Sequence, residues 1–310
     1  MENNSYHTPV MLNQSLEGLA IRPEGTYVDV TLGGGGHFTA IASLLSAKGM
    51  VIGIDRDPAA IKRAQIMTFS SGPRILVCQS RFSAFDQVLR EHGIDRVNGI
   101  LADLGVSSHQ IDSVGRGFSY MKDADLDMRM GNQGISASEL IAQSDEQQLA
   151  EILASFGEIR NAGRMARAIK QYDRHHRIRS SAQLRQCLKQ EYGAGLRVKV
   201  MARVFQAFRI AVNEELWELE TFLGKIHSCL LKGGRLVVIS YHSLEDRMVK
   251  QFMRRAEQSC ECPAGLPVCR CEKVAWLKRV NRGAVKPSEE EIQQNRRARS
   301  ARLRIAEKTI

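Results

Sequence analysis

Two hydrophobic periods alternate over the first hundred residues of the chain. Short β-branched apolar runs predict strands at residues 27–31, 50–55, 75–78 and 97–103. Helical patterns are predicted to begin near His37, Pro58 and Ser83. Asp57 directly before Pro58 supports the second of these starts, because an acidic N-cap followed by proline suits a helix N-terminus. This alternation is typical of a doubly wound, mostly parallel α/β sheet.

After Asp103 the pattern becomes helical, from Ser136 to about Gly224. Strand character returns at residues 235–240, and a last strand is predicted at 302–306. Ser243 is predicted to cap a helix, in a capping box over residues 243–246. We therefore predict a sheet domain formed by residues 1–109 and 210–310, interrupted by a helical insertion at residues 110–209.

The turn after the first strand consists of four glycines, residues 33–36. Glycine permits a tight turn and lets a ligand lie against bare backbone. Gly33 and Gly35 fit the dinucleotide fingerprint, but Phe38 occupies its third glycine position. This disfavours a pyrophosphate cofactor and favours a nucleoside cofactor such as S-adenosylmethionine. Asp55 at the next strand end can accept hydrogen bonds from ribose hydroxyls, or it can cap the following helix.

Polar side chains also follow the other predicted strands. Asp103 ends the fourth strand, and Ser107 follows it after a bend at Gly105. His242 follows the strand at 235–240, where a catalytic or a structural histidine would be consistent with the sequence. Phe82 follows the third strand and could pack on an adenine ring or in the core. Asp103, Ser107 and His242 are the candidate catalytic residues.

Eight blocks of sequence carry a family resemblance. They are residues 7–10, 29–37, 54–58, 103–108, 116–119, 125–130, 205–213 and 241–247. Over almost the whole chain, these blocks resemble the bacterial small-subunit ribosomal RNA cytosine-N4 methyltransferases. The resemblance implies a class I methyltransferase fold with a helical insertion that recognises RNA. It also implies S-adenosylmethionine as methyl donor and a cytosine of the decoding region as substrate.

The resemblance also implies a set of cofactor contacts. Carried over position by position, they fall on Gly35, Gly36, His37, Asp55, Phe82, Asp103 and Gln110. Two local departures exist. Residues 199–204 replace a segment that in many relatives contains proline and threonine, and Tyr241 stands where phenylalanine is frequent.

The net charge of +10 is concentrated in two segments. Residues 160–209 carry thirteen Lys and Arg against two acidic residues, and residues 270–310 carry twelve against five. Such basic segments favour a polyanionic partner, although they can also be solvated helix faces. We expect ribosomal RNA or the assembled small subunit as partner, no membrane, and a monomer or homodimer.

The chain has seven cysteines, and this odd number favours reduced thiols over a disulfide framework. The sequence shows no signal-peptide pattern and no apolar run of about 20 residues. We therefore expect a cytoplasmic protein. Four of the cysteines, Cys260, Cys262, Cys269 and Cys271, could hold zinc. Their C-x-C pairs differ from the usual C-x₂₋₄-C spacing, so no residue is assigned to a metal and reduced thiols are the favoured interpretation.

The predicted reaction is attack of the cytosine exocyclic amine on the sulfonium methyl group, with Asp103 or a hydroxyl accepting an amine hydrogen. Three alternatives remain. The first is a DNA or other RNA amino-methyltransferase. Its DNA cytosine-N4 and adenine-N6 members are disfavoured because Leu104, Gly105 and Val106 stand where they typically have a Pro-Pro-aromatic motif. A nicotinamide dehydrogenase is disfavoured by Phe38. A non-catalytic RNA-binding ribosome-assembly protein would retain the fold without methyl transfer.

Overall fold

The computed structural model describes residues 9–66, 72–107, 110, 115–193, 197–262 and 271–310. The chain divides into two compact units. Residues 1–105 and 217–310 form the first, called here the sheet unit, and residues 106–216 form the second, the helical unit.

The strands are β1 (Thr26–Asp29), β2 (Met50–Asp55), β3 (Arg74–Gln79), β4 (Val97–Asp103), β5 (Leu230–Ser240), β6 (Leu277–Arg279) and β7 (Arg302–Lys308). The helices are α1 (Leu12–Leu19), α2 (Gly36–Ser43), α3 (Pro58–Gln65), α4 (Phe85–Glu91), α5 (Ala137–Gln143), α6 (Glu146–Gly157), α7 (Ala162–His176), α8 (Ser181–Tyr192), α9 (Val198–Asn213), α10 (Glu215–Cys229), α11 (Ser243–Glu257) and α12 (Glu289–Gln294). Short 3₁₀ turns lie at Phe82–Ala84 and Arg296–Ser300.

The seven strands form one sheet in the order β3-β2-β1-β4-β5-β7-β6. Neighbours from β3 to β5 pair in parallel, whereas β7 runs antiparallel to β5 and to β6. Strand order reverses between β1 and β4, so the carboxyl ends of β1 and β4 border a switch-point crevice. The predicted doubly wound, mostly parallel α/β fold is confirmed.

The strand β5 is longer than the sequence pattern predicts. It begins at Leu230 rather than Arg235. Leu230 pairs with Val97 of β4, and Arg235 pairs with Gly99. Gly233 adopts a φ of +72°, which glycine accepts without strain. The two glycines at 233 and 234 therefore form an irregularity inside the strand, not the boundary at which it begins.

A fully buried ring fixes helix α2 against the sheet. Phe38 is fully buried, and a Cβ placed on Gly53 of β2 would lie 3.0 Å from its ring. The glycine that lets helix and strand approach closely therefore lies in the strand, while the helix carries the aromatic side chain. This is why the third glycine of the dinucleotide fingerprint can be absent.

The helical unit has its own core and its own capping. Three of its helices begin with capping boxes, formed by Ser136 with Glu139, Asp145 with Gln148, and Ser180 with Gln183. The core includes Leu149, Leu153, Ile169, Leu184 and Phe208. The helical pattern predicted from Ser136 onward is confirmed.

One buried amide fastens α9 of the helical unit to an irregular segment. Asn213 Oδ1 accepts the Met130 N–H at 2.8 Å, and Nδ2 donates to the carbonyls of Met128 at 2.7 Å and Arg209 at 2.9 Å. Met128 takes a left-handed φ of +60°.

Within the described residues, no helix combines the length and apolarity that a bilayer span requires.

Candidate active site

Three carboxyl groups stand at the carboxyl ends of neighbouring parallel strands. Asp29 ends β1, Asp55 ends β2 and Asp103 ends β4. Asp29 lies in register with Gly53, two residues before Asp55. Parallel pairing thus brings the three acids to one edge of the sheet, which is where ligands bind in this architecture.

The glycine turn is held by one of these acids. Asp55 Oδ2 accepts the Gly33 N–H at 2.8 Å, and its Oδ1 accepts the Asp57 N–H at 2.8 Å. Asp57, not Asp55, caps α3, because its carboxylate accepts the Ala59 N–H at 3.0 Å. Each Asp55 oxygen has a second lone pair, so the carboxylate can fasten the turn and still accept ribose hydroxyls.

The backbone of the turn is shaped for close approach. Gly33 and Gly35 adopt φ angles of +48° and +80°. Gly35 is the N-cap of α2, and a Cβ on Gly36 would collide with the Pro9 ring. Gly33 and Gly35 therefore favour glycine because of their backbone conformation, and Gly36 favours it because a side chain would clash.

Asp103 is tied to the segments after β1 and after β5 by two hydrogen bonds. Its N–H donates to Thr31 Oγ1 at 2.6 Å, and Tyr241 Oη–H donates to its Oδ1 at 2.7 Å. Burial raises the pKa of Asp103 to about 7; the Tyr241 hydrogen bond opposes the rise, and the charges of Asp29 and Glu245 add to it. The carboxyl is poised between its two protonation states near neutral pH.

His37 lies beside Asp103 as a neutral imidazole. Its Nε2 is 3.1 Å from the Val10 carbonyl oxygen and its Nδ1 is 3.7 Å from Asp103 Oδ2. Burial lowers the pKa of His37 to about 4. Because a carbonyl oxygen only accepts, Nε2 carries the hydrogen, and the Nδ1 lone pair faces the carboxyl of Asp103.

Asp29 was missed by the sequence analysis as a site residue. Its Oδ1 accepts the Thr31 N–H at 3.1 Å, and the side chain is almost fully buried. Burial raises the pKa of Asp29 to about 7, with the Asp55 charge adding to the rise. Burial also raises the pKa of Asp55. Three carboxyls that each resist ionisation form an electrostatic site that a cationic ligand would stabilise.

His242 caps helix α11, one residue earlier than predicted for that cap. Its Nδ1 accepts the Glu245 N–H at 3.4 Å, and Glu245 Oε2 accepts the N–H groups of Tyr241 at 2.9 Å and His242 at 3.2 Å. Ser243, predicted as N-cap, is instead the first helical residue. The reason is that an imidazole nitrogen can accept the N3 hydrogen bond as a hydroxyl does. This contact supports the structural alternative, and a catalytic role for His242 stays a prediction.

The other predicted site residues have partners within their own units. The Phe82 ring meets Phe222 edge to face at 5.6 Å, so part of its surface belongs to the sheet-unit core. In the helical unit, Ser107 N–H donates to Gln110 Oε1 at 3.0 Å and Gln110 N–H donates to Ser107 Oγ at 3.2 Å. His7, Thr8, Ser108 and Cys269 lie outside the described residues.

Asp29 and Tyr241 were not predicted as site residues, and the sequence indicates them to different degrees. An acid at the end of a buried strand, as at Asp29, is the same signal that singled out Asp55 and Asp103. Tyr241 was noted only as a departure from phenylalanine. Its hydroxyl becomes informative once β4 and β5 are known to be neighbours, because Asp103 pairs with Ile239, two residues away.

Comparison with known proteins identifies the family of the chain. The family model described as "MraW methylase family" matches residues 4–309. "Ribosomal RNA small subunit methyltransferase H" of Desulfosudis oleivorans is 45% identical over 307 residues, covering 97% of this chain and 98% of that protein. The proteins of the same name from Heliobacterium modesticaldum and Clostridioides difficile are 43% and 40% identical, covering 98% of this chain and 98% and 99% of their own lengths. The chain therefore belongs to the MraW methylase family.

Proposed function

We propose that this protein transfers a methyl group from S-adenosylmethionine to the exocyclic N4 amine of a cytosine in the decoding region of small-subunit ribosomal RNA, in the cytoplasm. The observation that carries the proposal is the cluster of Asp29, Asp55 and Asp103 around the glycine turn. The relatives' name, ribosomal RNA small subunit methyltransferase H, supports the substrate class.

The site chemistry fits this donor. S-adenosylmethionine supplies an electrophilic methyl group on a cationic sulfonium. Asp29, Asp55 and Asp103 have pKa values raised by burial, so a neighbouring cation would stabilise their charged forms. The turn at residues 33–36 offers bare backbone for a nucleoside, and no glycine-bound pyrophosphate is needed. Gly35, Gly36, His37, Asp55, Phe82, Asp103 and Gln110 are the proposed cofactor-binding residues.

Asp103 is the proposed acceptor for the substrate amine. The cytosine N4 lone pair is delocalised into the ring, so the amine must be positioned and its lone pair localised before it attacks. A carboxylate that accepts an N–H hydrogen bond promotes this localisation, and the proton can leave after methyl transfer. Ser107 supplies a hydroxyl and His242 an imidazole as the further candidate catalytic groups.

The helical unit is the proposed RNA-binding part. Arg174, Arg179, Lys189, Arg197 and Lys199 are all exposed on it. Contacts between such side chains and phosphates release counterions, so RNA affinity is expected to fall steeply as salt concentration rises. The target base must be unpaired or flipped out of its stack to reach the sheet edge.

The proposal is tested by methyl transfer from radiolabelled S-adenosylmethionine to small subunits that lack the modification. Asp103→Ala should abolish transfer, while the exposed surface variant Asp95→Ala should retain it. Full activity of Asp103→Ala would end the assignment of Asp103. Transfer to DNA instead of subunits would favour the DNA amino-methyltransferase, and RNA binding without any transfer would favour the non-catalytic alternative.

A further inference from the structure

A second constellation lies in the sheet unit and takes no part in the chemistry above. Cys260 and Cys262 follow the end of α11, and Cys271 precedes β6. The Sγ atoms of all three lie within 4.8 Å of one another. Three thiols from two separate segments of chain thus converge on one point.

The spacing of two of these sulfurs, Cys260 Sγ and Cys271 Sγ, fits a shared metal ion. Zinc binds cysteine sulfur at about 2.3 Å, so two sulfurs on a tetrahedral ion lie roughly 3.8 Å apart. Cys260 Sγ and Cys271 Sγ are 3.9 Å apart. A disulfide would need about 2.05 Å, so the pair is not bonded.

Backbone hydrogen bonds point at the same sulfurs. The Cys262 N–H donates to Cys260 Sγ at 3.4 Å, and the Glu261 N–H donates to Cys271 Sγ at 3.4 Å. These hydrogen bonds orient the sulfurs and would remain as outer-shell contacts around a bound ion. The Lys273 ammonium lies 2.9 Å from Glu261 Oε2 and joins the two segments a second time.

The surrounding scaffold holds the two segments in place without the metal. Arg279 of β6 donates from its backbone N–H and from Nε to the Glu257 carboxylate at the end of α11, at 3.1 and 2.6 Å. The Trp276 N–H donates to the Ala256 carbonyl at 3.1 Å. The cysteines therefore extend from the ends of two segments that are already hydrogen-bonded to each other.

We propose that Cys260, Cys262 and Cys271 bind one zinc ion that fastens the connection between α11 and β6. Soft thiolate ligands select zinc over magnesium or calcium. Three protein ligands leave one position of the tetrahedron for water or a further donor. The C-x-C spacing, which argued against a zinc knuckle in the sequence, is compatible because the third sulfur comes from the other segment.

The test uses the full chain, reduced, stripped with EDTA, reloaded with zinc chloride and dialysed. Elemental analysis should find about one zinc per chain in the wild type and in the control Cys78→Ser, and none in the double variant Cys260→Ser/Cys271→Ser. Cobalt(II) in place of zinc should give strong tetrahedral bands and sulfur charge-transfer bands in the wild type.

A second measurement does not depend on the variants folding. Zinc should protect three thiols of the wild type from a thiol reagent, and EDTA should release them. Wild-type protein that retains no zinc, weak octahedral cobalt bands, or unchanged thiol reactivity would each overturn the proposal. Methyl transfer by the zinc-loaded and zinc-free forms is a separate readout, so failure here leaves the proposed function standing.

Discussion

Replacing Tyr241 with phenylalanine removes one atom from the candidate site and should change its pH dependence. The Tyr241 hydroxyl donates to Asp103 Oδ1 at 2.7 Å. Burial, together with the Asp103 charge, raises the pKa of Tyr241 well above its ordinary value, so the hydroxyl remains a donor across the working range. The ring is retained in Tyr241→Phe, which isolates the hydrogen bond from the packing.

The size of the expected pKa shift follows from the strength of this hydrogen bond. A hydrogen bond to a charged group contributes about 1.5–3 kcal/mol. At about 1.4 kcal/mol per pKa unit, its loss raises the pKa of Asp103 by roughly one to two units. With the starting pKa at about 7, the ionised fraction at pH ~7.5 falls from about three quarters to roughly a quarter or less.

The assay is the pH profile of kcat/KM for methyl transfer, with S-adenosylmethionine affinity measured by calorimetry across the same range. We expect the alkaline shift of roughly one to two units in Tyr241→Phe, with activity recovered at high pH. Tyr192→Phe is the matched control, because the buried Tyr192 hydroxyl has no hydrogen-bond partner among the residues that the structure describes. A Tyr241→Phe profile that superimposes on the wild type, or that moves towards acid, would refute the reasoning.

Three further predictions concern stability. Gly53→Ala should lower the free energy of unfolding in urea by about 1–3 kcal/mol, because the new Cβ meets the Phe38 ring. Gly163→Ala should be neutral or stabilising, because no described atom lies within 4 Å of a Cβ at that position. Equal effects of the two substitutions would contradict this packing. The pKa values of Asp29 and Asp103 are raised from 3.8 to about 7, so the unfolded chain releases these two protons at lower pH than the folded protein does. The free energy of unfolding of the ligand-free protein should therefore fall, by up to about 4 kcal/mol per carboxyl, as pH rises from about 4 to above 7. A melting temperature that rises over this pH range would contradict the prediction. Asn213→Ala should lower the free energy of unfolding by about 1–3 kcal/mol or more, because it removes the partner of the Met130 N–H and of the Met128 carbonyl. An unchanged melting temperature would contradict this role of Asn213.

Much of the sheet unit follows from local sequence patterns. The bounds of β2 and β4 are those predicted, and Asp57 caps α3 as expected. These elements are predictable because apolar runs, strand ends and proline-preceded starts are local signals. The acids at 55 and 103 could be placed at one edge for the same reason, since parallel strands share their carboxyl edge.

What the sequence left open depends on contacts between distant segments. The early start of β5 requires its pairing with Val97, and the close packing of Phe38 requires Gly53 of another strand. The hydrogen bond from Tyr241 to Asp103 joins residues 138 positions apart. None of these leaves a local pattern, which is why the buried acid cluster could be anticipated only in part.

The central claim is that the acidic strand-end cluster binds a methyl donor for transfer to a cytosine amine of the small subunit. Its most direct test is to incubate the protein with labelled S-adenosylmethionine and unmodified small subunits and to map the product by mass spectrometry. We expect a single methyl group on N4 of one cytosine in the decoding region. A methyl group on another atom or another base, or no transfer by the folded, cofactor-loaded protein, would contradict it.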